Sequence, residues 1–500
     1  MLPGNICTIP WFPAQDTLQG RSCTSLRPLT SMTSRALCTL TDIIESFTAG
    51  KRRLPVASNA SREDVQSYIA EAFPLNGPTE LHSLVASTAN LFDKWEEHSN
   101  SPRHFGLFRP GSSLSCVTAD ALVALYNPNL ARASFSPPGI EIERYVLQHL
   151  GQHIGFGKPA HDAHFTSCGA EANQTAVLAA LYSRFPRAAD DGVAVAAPRA
   201  RFYASSEAHH SLDKAAVSSG LGRSGLVRIP VDEHCRMRAD LLAAQISADI
   251  AAGYTPFMIA GTAGTTATGA IDPIKQLHEL ANQHDFWLHI DAAWGGTAAL
   301  SPRQRPWLDG IEHADSVTWD AHKWLSVATG AGMFFCKHPQ VLTNIFAVDP
   351  AYVVVNAAAG EADPLARSLQ WSRRVIGLKV LMLLAEQGAE RIAARIDHQV
   401  EMGQRLRKGL QTEGWLILSD SPFPVVCFSH PSLQNDRERH DAIVDDLRAR
   451  NVAWITRVML AGGRHALRAC VTHVDTNASD IDALIDGIRR STPAGRRPRL

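Results

Sequence analysis

Leu288-His289-Ile290-Asp291-Ala292-Ala293-Trp294 and Asp315-Ser316-Val317-Thr318-Trp319-Asp320-Ala321-His322-Lys323-Trp324 decide how this chain is read. Each opens on a short β-rich run of the kind that fits a buried strand and ends on reactive side chains. The carboxylate of the first, Asp291, precedes the amine of the second, Lys323, by 32 residues. That interval leaves room for one connection between two neighbouring strands.

Around this pair, helical and extended patterns alternate. Apolar spacing predicts helices near 139–155, 169–184, 208–219, 237–250 and 272–284, and strands near 193–198, 226–229, 256–260, 286–291, 315–319 and 332–336. Such alternation predicts an α/β fold: a mainly parallel central sheet with helices on both faces and ligands at the carboxyl ends of the strands. Beyond a Gly/Ala/Pro-rich loop at about 349–367, a long helix is expected at 371–411. Strands near 415–418, 424–428, 453–456 and 466–472, with helices near 436–450 and 478–489, then predict a small α+β C-terminal domain. Toward the N-terminus, Val65, Ile69, Phe73, Leu81, Leu84 and Leu91 recur at helical spacing. Residues 1–60 are rich in Ser, Thr, Pro and Gly, and Met32 is a second possible start. The expected division is a mobile leader at 1–60, a helical N-terminal arm at 61–105, a large ligand-binding domain at 106–370 and a small domain at 371–500.

Composition narrows the function classes. Hydrophobic residues make up 45% and charged residues 19% of the 500, with a net charge of −1. That balance gives no electrostatic reason to expect nucleic acid. No apolar run reaches the length of a membrane span, since Val375–Ala385 is interrupted by Lys379. Nine cysteines, an odd number with no Cys-x-x-Cys, argue against a disulfide framework or a structural metal. A small-molecule partner and a reducing cytoplasm are expected.

An acid and an amine at adjacent strand ends are the two groups a pyridoxal 5'-phosphate site requires. The acid keeps the pyridine nitrogen protonated and the amine joins the aldehyde. A solvated surface lysine is the ordinary fate of Lys323's residue type, but Trp319, His322 and Trp324 flank it here after a buried strand. Asp291 is either that acid or a turn former, and the small residues Ala292, Ala293, Gly295 and Gly296 would let a flat ring approach. In Phe165-Thr166-Ser167-Cys168-Gly169-Ala170-Glu171-Ala172-Asn173, a small-residue turn opens a helix. The free N–H groups of Gly169 and Ala170 suit a phosphate, although a plain helix start explains the motif equally well. His209, with His210, either stacks on a ring or caps a helix. Thr265 and Thr266 stand in a Gly/Thr-rich turn.

These segments, in this order, resemble the group II pyridoxal-dependent amino-acid decarboxylases, the aromatic, glutamate, cysteine sulfinate and diaminobutyrate enzymes, over roughly residues 75 to 490. The likeness rests on His289-Ile290-Asp291-Ala292-Ala293, Gly264-Thr265-Thr266, Ile271-Asp272-Pro273, Ala314-Asp315-Ser316-Val317 and His322-Lys323. It implies a fold type I, aminotransferase-like architecture and an amino-acid substrate converted to amine and carbon dioxide. It also implies a homodimer with shared active sites, whose N-terminal arm wraps the partner. By the same resemblance Lys323 carries the cofactor as a Schiff base, Asp291 bonds the pyridine nitrogen and His209 stacks over the ring. Thr266 and Ala293 line the ring, and His322 helps hold the phosphate. Leu107 and Phe108, in the stretch Ser101–Pro110, become candidate substrate-pocket residues, with ordinary core packing as the alternative.

The chain departs from the family pattern at three places. Asp320 replaces the asparagine usual in animal aromatic and glutamate enzymes, in line with bacterial branches, and Cys168 replaces a glycine. The loop before Arg373 often carries a tyrosine that returns the proton to Cα, whereas Asp363-Pro364-Leu365-Ala366 has none and Tyr352 lies earlier. This leaves an oxidative decarboxylation and deamination to an aldehyde as an alternative outcome, with a catalytically idle structural homologue as a third. The substrate side chain stays open. A distal ammonium would need a carboxylate, an aromatic ring an apolar wall such as Phe108, and an acid an arginine such as Arg103 or Arg109.

Overall fold

The computed structural model describes residues 32–58, 60–158, 161–347 and 363–492. They fall into two compact units, one made of the described residues up to Lys51 with Ser58–Glu96, the other of Arg52–Ala57 with the described residues from Glu97 onward.

The first unit holds three helices, α1 (Met32–Gly50), α2 (Arg62–Ala72) and α3 (Leu81–Trp95), with α1 and α2 both packed on α3. Helix α2 starts where the Ser61 hydroxyl accepts the Asp64 N–H, an N-cap that replaces a missing intrahelical partner. Helix α1 replaces the part of the expected 1–60 leader that begins at Met32, while residues 1–31 lie outside the described residues. Its Ser and Thr residues concealed a helical series, Ala36, Leu40, Ile43, Ile44 and Phe47, and the Thr39 and Thr41 hydroxyls bond back to Arg35 and Leu37 carbonyls one turn earlier.

In the second unit, α4 (Leu114–Tyr126) and α5 (Pro137–Gln152) lead into β1 (Asp162–Thr166), α6 (Gly169–Arg184), the single turns α7 (Ala188–Asp191) and α8 (Val193–Ala196), and β2 (Ala200–Ser205). There follow α9 (Ser211–Ser218), β3 (Leu226–Ile229), α10 (Ala239–Ala251), β4 (Thr255–Thr262), α11 (Ile274–His284), β5 (Trp287–Asp291), β6 (Ser316–Asp320), β7 (Gly332–Cys336) and α12 (Pro339–Phe346). The sheet order is β1-β7-β6-β5-β4-β2-β3. Strands β3, β2, β4, β5 and β6 are mutually parallel, and only β7 runs against its neighbours. The mainly parallel sheet is therefore as expected, and Thr262, Asp291 and Asp320 end three adjacent strands at one edge.

Helices cover both faces. Leu147, Leu242, Leu277 and Val380 pack with Leu288, Ile290 and Trp319 on one side, while Ala176, Leu212 and Leu342 pack with Phe202, Met258 and Trp287 on the other. Every residue of β5 and β6 is buried, including the polar His289, Asp291, Ser316, Thr318 and Asp320, so these polar groups need partners inside the protein. Full burial of an aromatic side chain such as Trp319 contributes about 2–3 kcal/mol.

The C-terminal part comprises α13 (Gly377–Thr412), β8 (Leu416–Ile417), β9 (Val425–Ser429), α14 (Arg437–Ala449), β10 (Thr456–Leu460), β11 (Arg464–Cys470) and α15 (Ala478–Ser491). Its antiparallel sheet runs β10-β11-β9-β8, the small α+β module expected. Helix α13 is broken at Gly388, whose φ of 68° belongs to the left-handed region.

Other differences have local causes. The strand expected at 193–198 is instead the turn α8, because Ala favours helix and Pro198 cannot donate to a ladder; the strand follows at Ala200–Ser205. Strand β1 went unpredicted because Asp162 and His164 break its apolar run, and α4 because its apolar residues are spread around the helix. Among the described residues no helix is long and apolar enough to cross a membrane.

Candidate active site

Asp291 leaves the carboxyl end of β5 almost wholly buried, and both of its oxygens are held. Oδ2 accepts from Asn173 Nδ2 at 2.7 Å and Oδ1 from the Ala293 N–H at 3.0 Å. Asn173, on the second turn of α6, donates its other amide hydrogen to Ser211 Oγ at 2.8 Å. Its carbonyl oxygen lies 3.1 Å from His289 Nε2, and His289 Nδ1 lies 2.9 Å from Ser316 Oγ, which also accepts from Trp287 Nε1 at 2.8 Å.

These contacts fix one tautomer. Burial lowers the His289 imidazole to about 4, so the ring is neutral and carries a single N–H. Since the Asn173 amide nitrogen is taken by Asp291 and Ser211, only its acceptor oxygen faces His289, so Nε2–H donates to Asn173 and Nδ1 accepts from the Ser316 hydroxyl. The chain Trp287, Ser316, His289, Asn173 therefore delivers its last hydrogen to Asp291. Hydrogen bonds to a charged group contribute about 1.5–3 kcal/mol each, and here they hold a carboxylate rigidly at the end of a strand.

Ala293 ties that carboxylate to the second motif, because its carbonyl accepts the Asp320 N–H at 2.7 Å. Asp320, 1% exposed at the end of β6, faces Lys323 Nζ at 3.1 Å and His322 Nε2 at 3.8 Å through Oδ2. Its Oδ1 is buried with no partner among the described residues. His322 Nδ1 accepts the Ala331 N–H at 3.1 Å, and burial lowers this imidazole against the pull of Asp320. Lys323 remains partly accessible.

The start of α6 closes in from the side. A Cβ added at Gly169 would lie 2.8 Å from Asp320 Oδ2 and 3.3 Å from the Ala293 methyl, so only glycine lets the helix begin here. Glu171 and Ala172 donate back to the Cys168 carbonyl, leaving Gly169 and Ala170 as the first N–H groups without an intrahelical acceptor. Glu171 in turn accepts the Ser167 N–H and hydroxyl at 2.8 and 2.7 Å and the Gln370 amide at 2.7 and 2.9 Å.

His209 precedes α9. Its Nδ1 is within 2.9 Å of Ser211 Oγ and accepts the Ser211 N–H at 3.1 Å, so a neutral ring carries its hydrogen on Nε2. Burial lowers its pKa, Asp291 and Asp320 act to raise it and Lys323 adds to the lowering. His209 thus stands within electrostatic reach of all three groups.

Lys323, Asp291, His209, His322, Ala293, Gly169 and Ala170 therefore gather around one place. The other candidates do not join them by any recorded contact among the described residues. Thr266 is exposed, and its carbonyl accepts from Arg468 at 2.7 Å; Thr265 beside it is buried and bonded to Thr268. Phe108 is buried and stacks on Trp294 with centroids 4.5 Å apart, whereas Leu107 is exposed. Arg103 donates to the Asn451 and Val452 carbonyls and Arg109 faces Glu97. Asn173, Ser211 and Ser316 were missed by sequence reasoning. His289 had a legible signal, since it sits two residues before Asp291 on the same strand face.

The pyridoxal group fits these residues: a flat ring needs the buried, doubly held Asp291, an amine at Lys323 and the close approach that Gly169 permits. Comparison with known proteins agrees. A pyridoxal-dependent decarboxylase conserved domain matches residues 65–430. The chain is 28% identical over 437 residues to the aromatic-L-amino-acid decarboxylase of Bacillus atrophaeus, covering 85% of this chain and 88% of that one. It is 30% identical over 380 residues to rat cysteine sulfinic acid decarboxylase, covering 72% and 75%. In fold it matches Oryza sativa TDC, solved with PLP and tryptamine, with a TM-score of 0.86 at 22% identity over 93% of this chain and 99% of that one. The chain belongs to the pyridoxal-dependent decarboxylases, carboxy-lyases that work on amino acids with pyridoxal 5'-phosphate.

Proposed function

We propose that the protein removes the α-carboxylate of an L-amino acid to release the corresponding amine, with Lys323 as the residue that carries the cofactor. One observation supports this most: the backbone of Ala293 joins a fully hydrogen-bonded Asp291 to the Asp320–Lys323 ion pair. When bound, the cofactor supplies an electron sink for the pair released at Cα. Asp291 holds the proton on the pyridine nitrogen, and Asn173 and the Ala293 N–H keep that carboxylate aligned beneath it. Asp320 is the nearest acceptor for the proton Lys323 must lose to become a nucleophile. His209, neutral and with Nε2–H turned from its Ser211 bonds, would lie against the cofactor, while His322 and the N–H groups of Gly169 and Ala170 would hold its phosphate.

The absence of tyrosine in Asp363–Ala366 favours testing a second outcome, release of aldehyde and ammonia with reduction of oxygen to peroxide; Tyr352 lies outside the described residues. Incubating the reconstituted enzyme with each common amino acid and 2,4-diaminobutyrate, and measuring amine, carbon dioxide, aldehyde, ammonia and peroxide together, tests both. Amine equal to carbon dioxide supports simple decarboxylation, and equal aldehyde, ammonia and peroxide the oxidative route. No visible absorbance after reconstitution would contradict both and leave the idle homologue.

We further infer a homodimer. Leu125, Tyr126, Phe135 and Tyr145, on α4, α5 and the segment between, are 75%, 76%, 59% and 66% exposed. A cluster of large apolar side chains left in water is the mark of an interface. Sedimentation of Tyr126→Asp with Tyr145→Asp as monomer, against a wild-type dimer, would support this.

A further inference from the structure

Lys323 stands in the loop 321–331, which joins β6 to β7. Inside this loop the Ser326 N–H bonds the Lys323 carbonyl at 3.0 Å, and the Val327 N–H bonds the Ala321 carbonyl at 3.2 Å. Between them Ser326 has a φ of 64°, a left-handed conformation that a residue other than glycine keeps when its surroundings impose it. The loop therefore needs support from outside itself.

Three side chains of α13 give that support. Lys379 Nζ donates to the Thr329 carbonyl at 2.8 Å, and Arg395 Nη2 donates to the Leu325 carbonyl at 3.0 Å. Gln399 Oε1 accepts from Trp324 Nε1 at 2.8 Å, while its amide donates to the Thr472 carbonyl at 2.5 Å. The residue directly after Lys323 is thus tied through a fully buried amide to the C-terminal module. Arg395 Nη1 also donates to Gln387 Oε1 at 2.8 Å, which stitches the two halves of α13 across the break at Gly388.

Packing alone does not call for these residue types. Lys379 and Gln399 take buried positions in the same series as Val380, Leu383, Ile396 and Val400, where an aliphatic side chain would fill the space without desolvating polar atoms. Burial lowers both cations, Arg395 to about 10, and both direct their charge at main-chain carbonyls of one loop. Such charge-assisted bonds are the stronger kind and fix a distance that apolar contact leaves loose.

We propose that Lys379, Arg395 and Gln399 are positioning residues for Lys323: from one helix they fix the main chain at 324–329 and so set the direction from which the Lys323 amine meets a ring. This rests on the reading of Lys323 as the residue that carries the cofactor. Asp320 holds the amine itself from one side at 3.1 Å, and the course of the main chain decides the rest. A shift of about 1 Å at a reacting atom is enough to cost roughly a hundredfold in rate.

Arg395→Met, Lys379→Met and Gln399→Leu each remove a bond at similar bulk and test this. In cofactor-free protein, amide hydrogen exchange of the peptide 321–331, read by mass spectrometry, should quicken roughly tenfold while peptides from β4 and α10 keep the wild-type rate. With cofactor bound at wild-type stoichiometry, kcat should fall roughly tenfold with KM within about twofold, and the visible circular dichroism of the cofactor should change. Arg395→Lys, which keeps a charged donor toward Leu325, should restore most of both. Lys379→Met carries the test if Arg395→Met does not fold. Unchanged exchange in the loop, an equal rise in every peptide, or wild-type kcat and dichroism beside a loosened loop overturns the proposal. The exchange measurement needs no cofactor, so a wild type that binds none defeats the decarboxylase reading, while loop exchange still decides whether α13 holds this segment.

Discussion

His289 and His164 are both buried strand residues, 0% and 7% exposed, and burial lowers both rings, to about 4 and about 3. They differ in what surrounds their nitrogens. His289 is bonded on both sides, by Ser316 and Asn173, whereas neither ring nitrogen of His164 has a hydrogen bond among the described residues. The first lies in a network complete without any ligand, which fits a carboxylate that must not move when a cofactor arrives. The second is buried on the edge strand β1 with neither ring nitrogen bonded among the described residues. A satisfied and an unsatisfied imidazole thus occur in one sheet, three strands apart in the order β1-β7-β6-β5.

The largest expected effect lies in the complete network. Lys323→Ala should lower the decarboxylation rate by roughly 10⁴-fold or more, because no other amine replaces the nucleophile. It should also abolish the borohydride-stable absorbance of the bound cofactor while leaving the fold unchanged by circular dichroism. An active Lys323→Ala enzyme would remove the centre of the functional proposal.

A third buried group shows that partners moderate burial without cancelling it. Asp272 accepts the Met237 and Thr262 N–H groups at 2.7 and 2.8 Å, yet burial, with Asp232 and Glu207 nearby, pushes it up to about 7. The folded carboxyl then holds a proton that the unfolded one, with a pKa of 3.8, has released. Its contribution is full below 3.8 and is lost as pH rises toward 7, by about 4 kcal/mol at most. Denaturant midpoints of wild type and Asp272→Asn between pH 4 and 7 should show the variant lacking that downward slope. Parallel pH curves would place the Asp272 carboxyl near its ordinary value.

How far each region was legible follows from the same contrast. Asp291 and Lys323 stand out because charged residues at the ends of buried strands need an explanation, and both lie near His209 and Gly169. The network behind them did not stand out. Asn173, Ser211 and Ser316 come from three separate elements, and polar residues of that kind are more often caps or turns; only His289, two residues before Asp291 on β5, carried a signal. Strand β1 was missed for another reason: Asp162-Ala163-His164-Phe165-Thr166 does alternate polar and apolar residues, but five residues with only two apolar ones are too short a signal. Two candidates stand apart from that cluster. Thr266 is exposed with its carbonyl on Arg468, and Phe108 packs in the core beside Trp294.

The comparison sharpens most when the same substitution is made at both histidines. At pH 8 both rings are neutral in folded and unfolded chain alike, so only hydrogen bonding and packing differ. His289→Phe leaves the Ser316 hydroxyl and the Asn173 carbonyl buried without their partner, and should destabilise by about 2–4 kcal/mol in chemical denaturation. His164→Phe removes two nitrogens with no hydrogen bond among the described residues and keeps a ring beside Phe334, so its effect should stay within about 1 kcal/mol of zero. The sign then changes with acid. Because the folded His164 ring is lowered from 6.5 to about 3, wild type keeps its full contribution above 6.5 and loses it as pH falls toward 3, a loss phenylalanine cannot suffer. His164→Phe should therefore gain on wild type by about 2 kcal/mol at pH 5. An equal cost at both positions at pH 8 would mean that His164 has a partner after all, and the contrast between a bonded and an unbonded buried imidazole would fail.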